Sequence, residues 1–149
     1  MNKGFVKVAA AIPELKVADC AFNVSKIIEL LQRAEQDKVQ VVCFPELSVT
    51  AYTCADLFFQ EKLLLDAEKR LTELQLATFS LTAVAVVGMP LRVDNQLFNV
   101  AVVLQGGRIL GVVPKTNLPN NNEFYEKRWF ASAKSTDVTT VKIGGEEVP

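Results

Sequence analysis

Residues 41–58 read "VVCFPELSVTAYTCADLF". The apolar run that opens the stretch, "VQVVCF" (39–44), is short and β-branched and shows no alternation, which predicts a strand covered on both faces. It stops at Pro45, which fixes its own φ and has no N–H for a ladder. The next residue is a carboxylate, Glu46. Working outward from this strand, "FVKVAAAI" (5–12) reads as a first strand ended by Pro13. Asp19 is placed to N-cap a helix running to about residue 37, with Val24, Ile27, Ile28, Leu31 and Ala34 at helical spacing. A second amphipathic helix is predicted from Phe59 to Phe79. Leu64, Ala67, Leu71 and Leu74 form its apolar stripe. Glu61, Asp66, Lys69 and Arg70 face water, with Asp66 and Arg70 at pairing distance.

The second half changes rhythm. "TAVAVVGMP" (82–90), "LFNVAVVL" (97–104) and "RILGVV" (108–113) predict strands, with Asp94-Asn95 and Gly106-Gly107 as tight turns. The order strand, helix, strand, helix, then β-meander describes an α/β sandwich with helices on one face of a mixed sheet. Residues 114–130 read as a long polar loop with one helical turn, and "VTTVKI" (138–143) as a further strand. "GGEE" (144–147) resembles a hairpin turn into a strand that does not arrive, so the chain is expected to be a piece of something longer.

Composition narrows the chemistry. With 149 residues, half of them apolar, the chain suits one globular domain. Sixteen basic and seventeen acidic residues give a net charge of −1, which offers no electrostatic case for nucleic acid or an anionic membrane. The densest basic pair, Lys127 and Arg128, is flanked by Glu123 and Glu126, as in a solvated face or local ion pair. There is no histidine, which removes Ser–His and Cys–His triads and the usual zinc centres. Cys20, Cys43 and Cys54 fit neither a disulfide framework nor a metal site. The opening "MNKGFVKVAAAIPEL" is too short in its apolar part for a secretory signal, and no run reaches membrane-spanning length. A reducing cytoplasm is the expected location.

Strand C-termini of a helix-covered sheet line the crevice where ligands bind. Glu46 is expected there, hemmed in by Phe44, Leu47 and Phe58. Desolvation of that kind raises a carboxyl's pKa and suits a general base near neutral pH. The plainer alternative is a carboxylate capping the following turn. "GVVPKTNLPN" repeats the device with a cation: strand, proline, Lys115. A lysine beside a carboxylate can lower a nucleophile's pKa and stabilise an oxyanion, or it can be an ordinary surface lysine. Glu123, in "NNNEFYEKRWF", is a third candidate, or a loop carboxylate paired with Lys127. Each cysteine is expected to pack as a small hydrophobe, Cys43 inside its strand, although Cys20 sits at a helix N-terminus, where thiol pKa falls.

The stretches "FPELSVTAYTCADLF", "VVGMPLRVDNQLFNVAVVLQGGRILGVV" and "GVVPKTNLPNNNEFYEKRWF" resemble the carbon–nitrogen hydrolase (nitrilase) superfamily. More narrowly they resemble the N-terminal glutaminase domains of glutamine-dependent NAD+ synthetases. Ala51 stands where that family usually carries glycine, a mild change. The resemblance implies a nitrilase-like α-β-β-α sandwich, of which residues 1–149 are the N-terminal half. It implies a Glu–Lys–Cys triad in which Glu46 is the base, Lys115 the lysine and Glu123 a supporting glutamate, with Tyr52 beside the glutamine substrate. The nucleophilic cysteine is expected beyond residue 149, so the chain alone is expected to be inactive. No metal or other cofactor is implied for this domain. ATP, Mg2+ and deamido-NAD+ belong to a C-terminal synthetase domain that the 149 residues do not contain. The implied partners are L-glutamine, that synthetase domain and further copies in a homo-oligomer. Two other readings stand beside this one: part of a stand-alone nitrilase-like amidase, or a non-catalytic interaction module in which Glu46 and Lys115 simply pair.

Overall fold

The computed structural model describes residues 4–149, and they build a five-stranded sheet with two helices on one face. Met1–Lys3, part of the opening stretch read above for a secretory signal, lie outside the described residues. The elements run β1 (Val8–Ala10), α1 (Cys20–Gln36), β2 (Val41–Cys43), a 3-10 helix (Tyr52–Phe59), α2 (Glu61–Ala77), β3 (Val84–Val93), β4 (Gln96–Gln105) and β5 (Arg108–Pro114). A single turn, α3 (Glu126–Trp129), and a hairpin, β6 (Val141–Ile143) with β7 (Glu146–Val148), follow. Strands β1, β2 and β3 are parallel, joined through α1 and α2; β3, β4 and β5 form the antiparallel meander.

The helices begin and end for readable reasons. The Asp19 carboxylate caps α1 by accepting from the Phe22 N–H at 3.0 Å. At its other end, Glu35 accepts from the Thr82 and Ala83 N–H groups and the Thr82 hydroxyl, which ties α1 to the start of β3. Val24, Ile27 and Leu31 of α1 and Leu64, Ala67, Leu71 and Leu74 of α2 are buried. On the sheet, Ala85, Val87, Met89 and Leu91 of β3 stand opposite Leu104, Val102, Val100 and Phe98 of β4, all buried on the helix side. Replacing Leu71, fully enclosed, by alanine would cost about 2–5 kcal/mol in this setting.

Three expectations are corrected. Strand β2 is covered on one face only: Val42 and Phe44 are buried, whereas Cys43 is exposed on the other side. The period of two puts Cys43 on that face, and among the described residues no second layer lies over it. Cys43 is therefore not a packed core residue. Val8 and Val113, 67% and 60% exposed, share this open side. Second, the strand after "GGEE" does arrive. Gly144 and Gly145, both at positive φ, turn β6 into β7, and the Pro149 carbonyl accepts from the Val112 N–H of β5 at 2.7 Å. Third, the 8-residue 3-10 helix precedes α2, so that helix starts at Glu61 rather than Phe59.

Candidate active site

The site lies on the open side of the sheet, at the ends of β2 and β5. After β2 the chain turns at Pro45 and folds back across β3, with the Val49 N–H reaching the Gly88 carbonyl at 3.1 Å. This close passage needs glycine at 88: a Cβ there would stand 2.4 Å from the Leu47 nitrogen and 2.8 Å from the Pro45 oxygen. The turn leaves Leu47 at φ 54 and Ala51 at φ 70, ψ 153. The latter region is essentially reserved for glycine and costs of order 1–3 kcal/mol for other residues. Alanine at 51 is thus strained rather than a mild change, in a conformation that glycine adopts freely.

Lys115 follows Pro114 directly, and its N–H donates to the Asn99 carbonyl at 2.8 Å, which extends the β4–β5 ladder by one residue. Its ammonium bridges two carboxylates: Glu46 Oε1 at 2.7 Å and Glu126 Oε1 at 3.0 Å. The Asn99 side-chain amide also donates to Glu46 Oε1. Tyr52 donates its hydroxyl to Glu126 Oε1 at 2.7 Å. Glu46, Asn99, Lys115, Cys43, Val86 and Gly88 line a recess of about 340 Å³.

The two carboxylates differ in setting. The Glu46 side chain is 39% exposed, so it is not hemmed in as expected; Phe44, Leu47 and Phe58 are buried in the core. Its side-chain contacts are to Asn99 of β4 and to Lys115 just after β5, and none caps the following turn. Glu126, by contrast, is 1% exposed, and its Oε2 has no hydrogen-bond partner among the described residues. A buried, unpaired acceptor is costly, by about 1–3 kcal/mol, and is relieved by a ligand that brings a donor. Burial alone would lower the Lys115 pKa, but its hydrogen bonds and charge pairing with Glu46 and Glu126 outweigh this and raise it. Lys115 therefore stays an ammonium at neutral pH, fit for stabilising negative charge rather than for abstracting a proton. Burial and then the Glu126 hydrogen bond raise the Tyr52 phenol well above its usual value, so it is a donor.

Glu46, Lys115 and Tyr52 are thus brought together, and Glu123 is not. Glu123 is exposed in the turn after Asn120–Asn122, with Asn122 at φ 55, and has no ion pair among the described residues. The asparagine run prevents a helix from starting before Glu126, so the carboxylate that reaches Lys115 comes three residues later than expected. The Lys127 pairing fails for the same reason; Arg128 instead pairs with Asp56. Asn99 was also missed, although a lone amide inside "LFNVAVVL" is a visible signal. Cys20 and Cys54 are buried: desolvation followed by the Asp66 charge pushes the Cys20 thiol up to about 12, and desolvation raises Cys54. Among the described residues no cluster of three or more His, Cys, Asp or Glu could hold a metal ion.

A carboxylate held against an ammonium at the strand ends of a layered α/β fold can serve acid–base or acyl chemistry. The chain belongs to the carbon–nitrogen hydrolase family, whose pattern it matches over residues 7–147. It is similar to a glutamine-dependent NAD(+) synthetase of Mycobacterium tuberculosis, 37% identical over 145 residues, 97% of this chain and 21% of that protein. It superposes on the glutamine-dependent NAD(+) synthetase of Cytophaga hutchinsonii with a TM-score of 0.89 at 25% identity, over 97% of this chain and 24% of that one. An amidase from Nesterenkonia sp. shares the fold, with a TM-score of 0.71 at 19% identity, 95% of this chain and 53% of its own. The chain spans about a quarter or less of the two synthetases it matches.

Proposed function

We propose that these residues form part of the glutaminase domain of a glutamine-dependent NAD+ synthetase and supply its base and its lysine. Glu46, held by Asn99 and Lys115 through one oxygen, keeps the other for a proton from the attacking thiol. The thiolate adds to the side-chain amide carbon of glutamine, and Lys115 offsets the negative charge that develops. The C–N bond breaks, ammonia leaves with the proton, and water hydrolyses the glutamyl thioester. Tyr52 and the unpaired Oε2 of Glu126 stand beside this centre, the latter as an acceptor for an amide N–H. Glu126 takes the supporting place first expected of Glu123. The thiol is expected from a segment outside the 149 residues, as the resemblance to the nitrilase superfamily implies; Cys20 and Cys54 are buried with raised pKa values. Ammonia passes to a synthetase domain, where ATP with Mg2+ activates deamido-NAD+ for amidation. The enzyme is cytoplasmic and homo-oligomeric, in keeping with three free cysteines and with the exposed apolar side chains of the open face.

The observation that carries this reading is the Lys115 ammonium bridging Glu46 and Glu126. Ammonia release from glutamine tests it. In the full-length enzyme Glu46→Gln lowers turnover about 10²- to 10⁴-fold, the usual contribution of a positioned base. Near-wild-type turnover in Glu46→Gln and Lys115→Ala would make the pair structural. The 149-residue chain alone releases no ammonia; turnover abolished by Cys43→Ala, the one thiol that lines the recess, would overturn the assignment of the nucleophile elsewhere.

A further inference from the structure

Glu126 sits on α3, a single turn of four residues. So short a helix does not hold itself, because its nucleus forms too few hydrogen bonds for the backbone it fixes. Its orientation must come from outside. One anchor is apolar: Phe58 packs edge-on against Phe130, with ring centroids 5.0 Å apart, and against Trp129 at 6.0 Å. The other is polar and converges on a single carboxylate. Asp56 Oδ1 accepts from Arg128 Nε at 2.7 Å and from Trp129 Nε1 at 2.9 Å, and Oδ2 accepts from Arg128 Nη2 at 2.8 Å. The guanidinium also lies 5.8 Å from the Phe59 ring centroid.

Isolated surface ion pairs are weak, but a bidentate arginine–carboxylate fork with a third donor has a fixed geometry. Tyr52 and Asp56 lie four residues apart in the 3-10 segment, on either side of a kink at Ala55 (φ 50, ψ −134), and Glu126 belongs to the same turn as Arg128 and Trp129. Two short segments, neither self-supporting, are therefore joined three times: at the surface through Asp56, by the apolar packing of Phe58, and in the interior through Tyr52 and Glu126. We propose that Asp56 is a positioning residue, whose clamp on Arg128 and Trp129 holds the Glu126 carboxylate against Lys115 and Tyr52. Its effect on glutamine turnover rests on the function proposed above; its effect on Lys115 does not.

The Lys115 ammonium reports the clamp directly. It faces Glu46 and Glu126, with Asn99 behind the first and Tyr52 behind the second, and both carboxylates raise its pKa. If Glu126 swings away, one of the two anions is lost and the amine titrates lower. The test labels the full chain with an amine-acylating reagent across a pH series and reads Lys115 by peptide mass spectrometry. Asp56→Ala lowers the labelling midpoint by roughly 0.5–1 pH unit. Asp56→Asn, which keeps an acceptor for Trp129, lowers it less. Arg70→Ala, which breaks two ion pairs on α2 away from the site, leaves it in place. In glutamine hydrolysis Asp56→Ala lowers kcat about 10- to 100-fold, as misplacing a reacting group does, and leaves KM nearly unchanged. Should Asp56→Ala not fold, Trp129→Phe removes the indole donor while keeping a smaller aromatic ring against Phe58, and lowers the midpoint in the same direction. An unmoved Lys115 midpoint in the folded variants overturns the proposal. Absence of glutamine turnover in the wild-type full-length enzyme would overturn the function instead, and the labelling result would still decide the clamp.

Discussion

On the helix side of the sheet, Ala85, Val87, Met89 and Leu91 are enclosed. On the other side of the same strands, Val86, Gly88 and Asn99 line a recess that carries Glu46 and Lys115. The covered side is built by repetition: apolar residues at period two on strands and 3.6 on helices, each replaceable by something of like volume. The open side is built by exceptions. A glycine is pressed by another segment's backbone, an alanine occupies a glycine conformation, a lone amide sits in an apolar strand, and a buried carboxylate has one oxygen unpaired. The difference shows where this fold accepts cost, and the costs gather around the ammonium of Lys115.

Gly88→Ala is the most direct way to break that contrast. The added methyl would stand 2.4 Å from a backbone nitrogen, so the Pro45–Leu47 turn must move. Overpacking of this kind costs about 1–3 kcal/mol. Chemical denaturation should show that loss, and a crystal structure should show Glu46 displaced from Lys115 while the helix side stays in register. If the variant is as stable as wild type with Glu46 in place, the open side is no more constrained than the covered one.

Much of the covered side was legible in advance. The cap at Asp19, the stripes of α1 and α2, the Asp66–Arg70 pair and the three meander strands follow from periodicity and short-range chemistry. The pairing of Glu46 with Lys115 was legible too, because each follows a strand-ending proline. What could not be read depended on distant segments meeting. Gly88 looks like any strand glycine until residues 45–47 cross it. Glu126 and Glu123 are indistinguishable in "EFYEKRWF" until the asparagine turn fixes where the helix begins. Burial of Glu46 was expected from apolar sequence neighbours, yet those neighbours point into the core. Coverage of β2 was expected on both faces because an apolar run says how much surface is hydrophobic, not whether a layer lies over it.

A smaller effect sharpens the comparison from the other direction. If the open side carries strain, some of it should be removable. Ala51→Gly relieves a φ of 70 with ψ of 153, worth of order 1–3 kcal/mol, against about 0.4–1 kcal/mol of added unfolded-chain entropy. A net gain of about 1 kcal/mol is expected, read as a raised urea midpoint at unchanged slope. A loss in stability would mean that residue 51 does not hold this conformation in solution.

The smallest effect belongs to the covered side and depends on pH. Glu35 ties the end of α1 to β3 by accepting from the Thr82 hydroxyl and the Thr82 and Ala83 N–H groups. These bonds, the Thr82 hydroxyl first, outweigh desolvation and lower the Glu35 pKa in the folded chain. A folded pKa below the unfolded one contributes stability that is fully present above the ordinary glutamate value. That contribution is lost as pH falls through the folded value. Wild type should therefore exceed Glu35→Gln in urea midpoint near neutral pH, and the gap should narrow as pH drops below about 4. A gap that is constant with pH would mean that the amide accepts these donors as well as the carboxylate does. The tie between helix and sheet would then rest on hydrogen-bond geometry and not on the charge of Glu35.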